Sequence, residues 1–120
     1  MNTAEIRSAW LDYQAQATAR AEANKQSQDA LNALFARYRA LFDEERPVVD
    51  QLLAEQLSSP DENVRFDALA IVREFRIASA LPALRSLADR LETQDAPGAP
   101  YEWAKVNRLI GMLVERPKGA

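Results

Sequence analysis

The chain has no histidine and no cysteine among its 120 residues, and only three glycines: Gly98, Gly111 and Gly119. Without histidine there is no histidine-dependent catalytic triad and no Glu-x-x-His di-iron motif. Zinc sites built on histidine or cysteine are excluded with them. The lack of cysteine removes disulfides and thiol chemistry, which fits a reducing compartment. Three scattered glycines cannot make a Gly-rich phosphate loop. No early apolar run reads as a secretory signal, and no stretch is long enough to span a bilayer. The expectation is a cytoplasmic protein with no cofactor and no metal.

What is present is ordinary for a packed domain. Hydrophobic residues are 48% and charged residues 28%, so disorder is not expected. The length fits a single domain over residues 1–120, with residues 1–46 as an N-terminal helical segment and 116–120 as a tail. Net charge is −3 and the isoelectric point is near 5.0. Basic residues are spread along the chain, which argues against a large phosphate-binding surface.

Proline placement divides the chain. From Asn2 to Arg46 there is no proline or glycine. Asn2 and Glu5 can cap a helix. Ile6, Trp10, Tyr13, Ala17, Arg20, Asn24, Ser27, Leu31, Leu34, Tyr38 and Leu41 then recur in alternating steps of four and three. That phase favours one continuous helix over 3–45. The middle of the stripe is poor in apolar residues, so a break near residue 25 is the alternative, with Asn24 ending one helix and Ser27 capping the next. Further helices are expected at 47–58, 60–76, 79–93 and 100–115. The fold class is therefore all-α.

The stretch from Ser59 to Thr93 is the most informative. Ser59 can cap a helix, with Pro60 at its first position and Glu62 three residues on. Val64, Ala68, Ile71, Val72 and Phe75 mark its buried face, and Phe66, Leu69 and Ala70 widen it. Phe66, Phe75, Tyr38 and Phe42 all read as core. A second helix places Leu81, Leu84, Leu87, Ala88 and Leu91 on one face, with Pro82 in its first turn. Leu69, Ile71, Val72, Leu84 and Leu87 are expected to be almost fully buried. The last helix offers Trp103, Val106, Leu109, Ile110, Leu113 and Val114.

The run Asp61-Glu62-Asn63-Val64-Arg65, then Ala68 and Leu69, then Ala80-Leu81-Pro82-Ala83-Leu84, resembles HEAT repeats. That family builds antiparallel helix pairs, with a proline early in the first helix, an aspartate in the turn and a Val-Arg step opening the second. Pro47 to Phe75 matches one unit, with Pro47, Asp61, Val64 and Arg65 at the marked positions. Ser79 to Val114 matches a second, with Pro82 in place. The second unit departs from the pattern, because its turn from Thr93 to Pro100 is long and no Val-Arg step follows. The resemblance covers roughly the last 70 residues. It implies a short HEAT-like α-solenoid whose arginine and turn aspartate stack neighbouring units, and whose 60–76 helix lines a concave, partner-binding side.

Candidate functional residues follow from both readings. The carboxylate pairs Asp43/Glu44, Asp61/Glu62 and Glu92/Asp95 lie at helix ends, where acids favour the dipole more often than they catalyse. No enzymatic activity is expected. Arg65 reads as structural on the resemblance. Asp67, Arg73, Glu74 and Arg76 lie on the 60–76 helix, where alternating charge suits either a solvated face or a partner. Trp10, Tyr13, Tyr101 and Trp103 are the aromatic candidates for partner contact, with Trp103 in phase with its own core. The function expected is a non-catalytic protein-protein interaction module, such as a bacterial adaptor or a toxin-neutralising protein. A self-assembling protein dimerising through its N-terminal helix is the alternative: a homodimer if that helix is continuous, a monomer if it is broken. Nucleic-acid binding or repair, known among HEAT-like proteins, is disfavoured by the charge.

Overall fold

The computed structural model describes residues 2–24 and 27–115. Among these there are six α-helices, one short 3-10 turn and no strand. The helices are α1 (Thr3–Asn24), α2 (Ser27–Arg39), α3 (Arg46–Gln56), α4 (Glu62–Phe75), α5 (Leu81–Thr93) and α6 (Ala99–Glu115), and the 3-10 turn is Ala78–Ala80. The chain forms two compact units, Met1–Leu52 and Leu53–Ala120, and the division falls inside α3. The expected tail lies outside the described residues.

The first unit opens with a reciprocal cap. The Glu5 backbone N–H donates to Asn2 Oδ1 at 2.8 Å, and the Asn2 N–H donates to Glu5 Oε1 at 3.1 Å. Each side chain satisfies a backbone donor that the first helical turn leaves orphaned. The continuous helix expected over 3–45 does not form. Residues 13 and 33 would lie about 30 Å apart along a straight helix. Instead the Tyr13 hydroxyl donates to the Ala33 carbonyl, and the Arg37 guanidinium lies 5.4 Å from the centre of the Tyr13 ring. The chain therefore folds back, and α2 packs on α1. Ala17 and Ala21 are buried, and with Ala33 they line a shallow cleft flanked by Arg20 and Asp29. Small side chains there permit the close approach that the poor middle of the stripe left unexplained.

Ile6 and Trp10 are buried, the latter only 2% exposed. The Trp10 indole N–H is enclosed without an acceptor among the described residues. Leu34 and Tyr38 on α2 are also enclosed, as expected of Tyr38. The Tyr38 hydroxyl donates to Asp50 Oδ1 at 2.7 Å, joining α2 to the start of α3. Burial first, and then the Asp50 carboxylate, push the phenol far above its ordinary pKa, so it stays a donor. Phe42, expected in the core, is 69% exposed. It lies beyond α2, in the turn that leads into α3. There Glu45 Oε1 accepts from the Phe42 N–H at 2.7 Å. That turn carries the chain into α3 at Arg46, although the following proline biases this position against helix. Pro47 lies in the first turn, where its missing N–H costs nothing.

The second unit contains α4, α5 and α6. Asp61, not Ser59, caps α4: its carboxylate accepts from the Asn63 N–H at 2.8 Å. Ser59 is engaged otherwise, since its Oγ accepts from the Asp61 N–H and its carbonyl accepts from Arg65 Nη1. Pro60 therefore precedes the helix. At the other end Arg76 takes a left-handed backbone with φ 50°, and its N–H closes on the Val72 carbonyl. Pro82 lies in the first turn of α5 as expected, and α5 packs closely on α6. Arg90 Nη2 donates to the Leu57 carbonyl at 3.0 Å, satisfying an acceptor just past α3.

The core of this unit matches the periodicity in part, since Val64 and Phe75, expected on the buried face, are only half-buried. Ala68, Ile71, Val72 and Leu84 are fully enclosed, and Leu69 and Leu87 nearly so. Val106, Leu109 and Leu113 supply the buried face of α6. Replacing Leu84 with alanine is expected to lower unfolding free energy by about 2–5 kcal/mol in a urea melt. A loss below about 1 kcal/mol would mean that the site collapses or was never packed.

Candidate functional site

A buried ion pair joins α4 to α6 in the second unit, and it decides what remains free on the two helices. Arg65 is only 8% exposed. Its Nε donates to Glu102 Oε2 at 2.6 Å, its Nη2 to Glu102 Oε1 at 2.8 Å and its Nη1 to the Ser59 carbonyl at 2.9 Å. A guanidinium removed from water must be matched in this way. The hydrogen bonds to Glu102 hold Arg65 still more firmly protonated than usual. Arg65 is thus structural, but its carboxylate comes from α6. The turn aspartate implied by the HEAT resemblance is occupied in capping α4.

Fixing Arg65 against Glu102 sets the rotation of both helices. Phe66, the next residue on α4, turns outward and is 49% exposed. Its expected place in the core fails because it lies about 100° round the helix from Arg65. Lys105 lies three residues after Glu102, and its Nζ sits 4.6 Å from the centre of the Phe66 ring. That contact brings the outer faces of α4 and α6 together as one ridge. On α4, Arg73 lies two turns beyond Phe66 on the same side, and it is exposed. On α6, Tyr101 precedes Lys105 by four residues and Arg108 follows it by three, so both share its side. Tyr101 is 84% exposed.

The other candidates lie elsewhere. Trp10 is buried and cannot meet a partner without unfolding, and Tyr13 is half-buried against Ala33 and Arg37. Trp103 was expected to pack with its own helix but is 40% exposed. It shares a side of α6 with half-buried Ile110 and exposed Val114, roughly 200° from Lys105. The buried face of α6 is therefore narrower than its apolar pattern. Arg76 and Glu74 are exposed near the end of α4. Asp67 is half-buried, about 100° from Phe66, and burial raises its carboxyl above the ordinary range. Sequence reading missed Phe66, Lys105 and Arg108. The signal was available for Phe66, because it falls outside the Val64, Ala68, Ile71, Val72, Phe75 stripe.

Among the described residues no group of three or more acids could hold a metal ion. No helix is long and apolar enough to cross a membrane, again among the described residues. No protein-family model, curated protein or solved structure matches the chain.

Two predictions test this geometry. Glu102→Gln leaves Arg65 buried without a counter-charge and is expected to cost about 3–5 kcal/mol in a denaturant melt. Arg65→Met combined with Glu102→Leu should recover most of that loss. A cost below about 1 kcal/mol for the single change would show that the pair holds nothing.

Asp67 gives the opposite sign. Its folded pKa lies above its unfolded one, so the folded state binds more protons between the two values. Stability falls as pH rises through that interval, and the penalty is complete above the folded value. Asp67→Asn should therefore raise the melting temperature at neutral pH, by a margin that shrinks on acidification. Equal melting of the two proteins at pH 7, or a margin that grows in acid, would contradict this.

Proposed function

We propose that the chain is a non-catalytic protein-binding module, built as a short HEAT-like solenoid of antiparallel helix pairs. The observation that carries the reading is the ridge of Phe66, Tyr101 and Lys105, two aromatic side chains left in water beside a cation. Aromatic residues are enriched in interface anchors because they bury much area at little entropic cost. In a solenoid of this kind, α4 and α6 are the second helices of their pairs and line the concave side, where partners bind. The complete lack of histidine and cysteine also favours binding over catalysis. An adaptor or a toxin-neutralising protein fits this description.

The self-assembling alternative required Ile6 and Trp10 on the outside of a straight helix. Both are buried, so a monomer is the expected state.

The test compares wild type with Phe66→Ser plus Tyr101→Ser. Both positions are exposed, so the melting temperature should move by no more than about 2–4 °C. Whatever protein co-purifies with wild type at low salt should be lost from the double variant. Retention of the same partner would remove the ridge from the reading. A concentration-dependent dimer, abolished by Trp10→Ala in sedimentation, would favour self-assembly instead.

A further inference from the structure

Charge on the α4 and α6 ridge is lopsided, although the chain as a whole is acidic. Arg73, Lys105 and Arg108 lie on the exposed sides that meet at the Phe66–Lys105 contact. Most acids of the same two helices are placed differently. Glu102 is consumed by Arg65. Asp67 and Glu74 lie about 80–100° round α4 from the line of Phe66 and Arg73. Glu115 lies two turns beyond Arg108 on the same side of α6, exposed at the helix's far end. Glu62 is the one α4 carboxylate on the Phe66 side, a single turn before it, and it acts on Arg65 as a neighbouring negative charge. Three cations against two carboxylates, Glu62 and Glu115, interleaved with two exposed aromatic rings, make a locally basic and locally apolar surface.

We propose that this ridge binds an acidic polypeptide segment carrying at least one large apolar side chain. The proposal rests on the reading of the chain as a protein-binding module and names the chemistry of its partner. Charge complementarity selects the segment: carboxylates meet Arg73, Lys105 and Arg108, and the apolar residue lies between Phe66 and Tyr101. A nucleic acid fits less well. Three cations release few counterions, and the chain's net charge of −3 repels a phosphate backbone at longer range.

The test uses a fluorescein-labelled peptide of about 16 residues, rich in Asp and Glu with two Leu and one Trp, in fluorescence anisotropy at about 50 mM and about 300 mM salt. A charge-reversed peptide with Lys for each acid and a single-stranded DNA of similar length are the other arms. Saturable binding of the acidic peptide, weakened by salt, is expected. Lys105→Glu and Phe66→Ser should each weaken it about five- to tenfold. Arg85→Glu carries the same charge change at an exposed position of α5 and should leave binding nearly unaltered. Equal binding of the acidic and basic peptides would overturn the inference. Equal weakening by Lys105→Glu and Arg85→Glu would do so too, since it would report net charge alone. Tighter binding of the DNA, also lost in Lys105→Glu, would assign the ridge to nucleic acid. If the acidic peptide fails while the serine double variant still loses its co-purifying protein, the inference falls and the binding-module reading stands.

Discussion

A guanidinium taken out of water is the constraint on which the second unit depends. Arg65 meets both oxygens of Glu102 and the carbonyl of Ser59, so its charge is matched and three of its donors are placed. Three segments are joined at one point: the loop before α4, the first turn of α4 and the first turn of α6. Because Arg65 and Glu102 each fix the rotation of a helix, the outward neighbours follow. Phe66 must leave the core, and Lys105 must come to meet it. The ridge is thus a geometric consequence of the buried pair, not a separate feature added to it.

Much of the fold was legible because its signals are local. The Asn2 and Glu5 cap, Pro82 in the first turn of α5 and the apolar faces of α4 and α5 depend on residues within a few positions of one another. The expected continuous helix failed through distant partners. The steps of four and three run through residue 25 without slipping, because alanines and polar residues carry the phase equally well in one helix or two. Only the meeting of Tyr13 with Ala33 and Arg37, about twenty residues on, reveals the fold-back. Ser59 and Asp61 are both good caps by type; Asp61 caps α4, while the Ser59 carbonyl accepts from Arg65.

The candidate site was legible in part for the same reason. Arg65, Arg73 and Arg76 are alike in a string of letters. Burial separates them, since one is spent inside, one lies on the ridge and one ends the helix in a left-handed backbone. Aromatic residues divided in the same way. Tyr38 and Trp10 entered the core, whereas Phe42, Phe66 and Tyr101 stayed outside. Composition favours burial for all five, but rotation of the helix decides for those on helices, and Phe42 lies in a turn. Glu102 carried no mark in the sequence, because its role exists only through a residue 37 positions earlier.

The proposed ridge and the chain's overall charge pull in opposite directions, and distance decides between them. A net charge of −3 sets the field far from the surface and repels an acidic partner weakly. Within a Debye length, about 8–10 Å in ordinary buffers, the nearest charges dominate, and on the ridge Arg73, Lys105 and Arg108 outnumber Glu62 and Glu115. Long-range steering is therefore absent, so the cations act after contact, by holding the register of the segment. Most of the affinity must then come from apolar area buried against Phe66 and Tyr101. A surface of this kind discriminates twice. It rejects basic segments by repulsion at close range, and it rejects purely acidic ones because they offer nothing for the rings to cover.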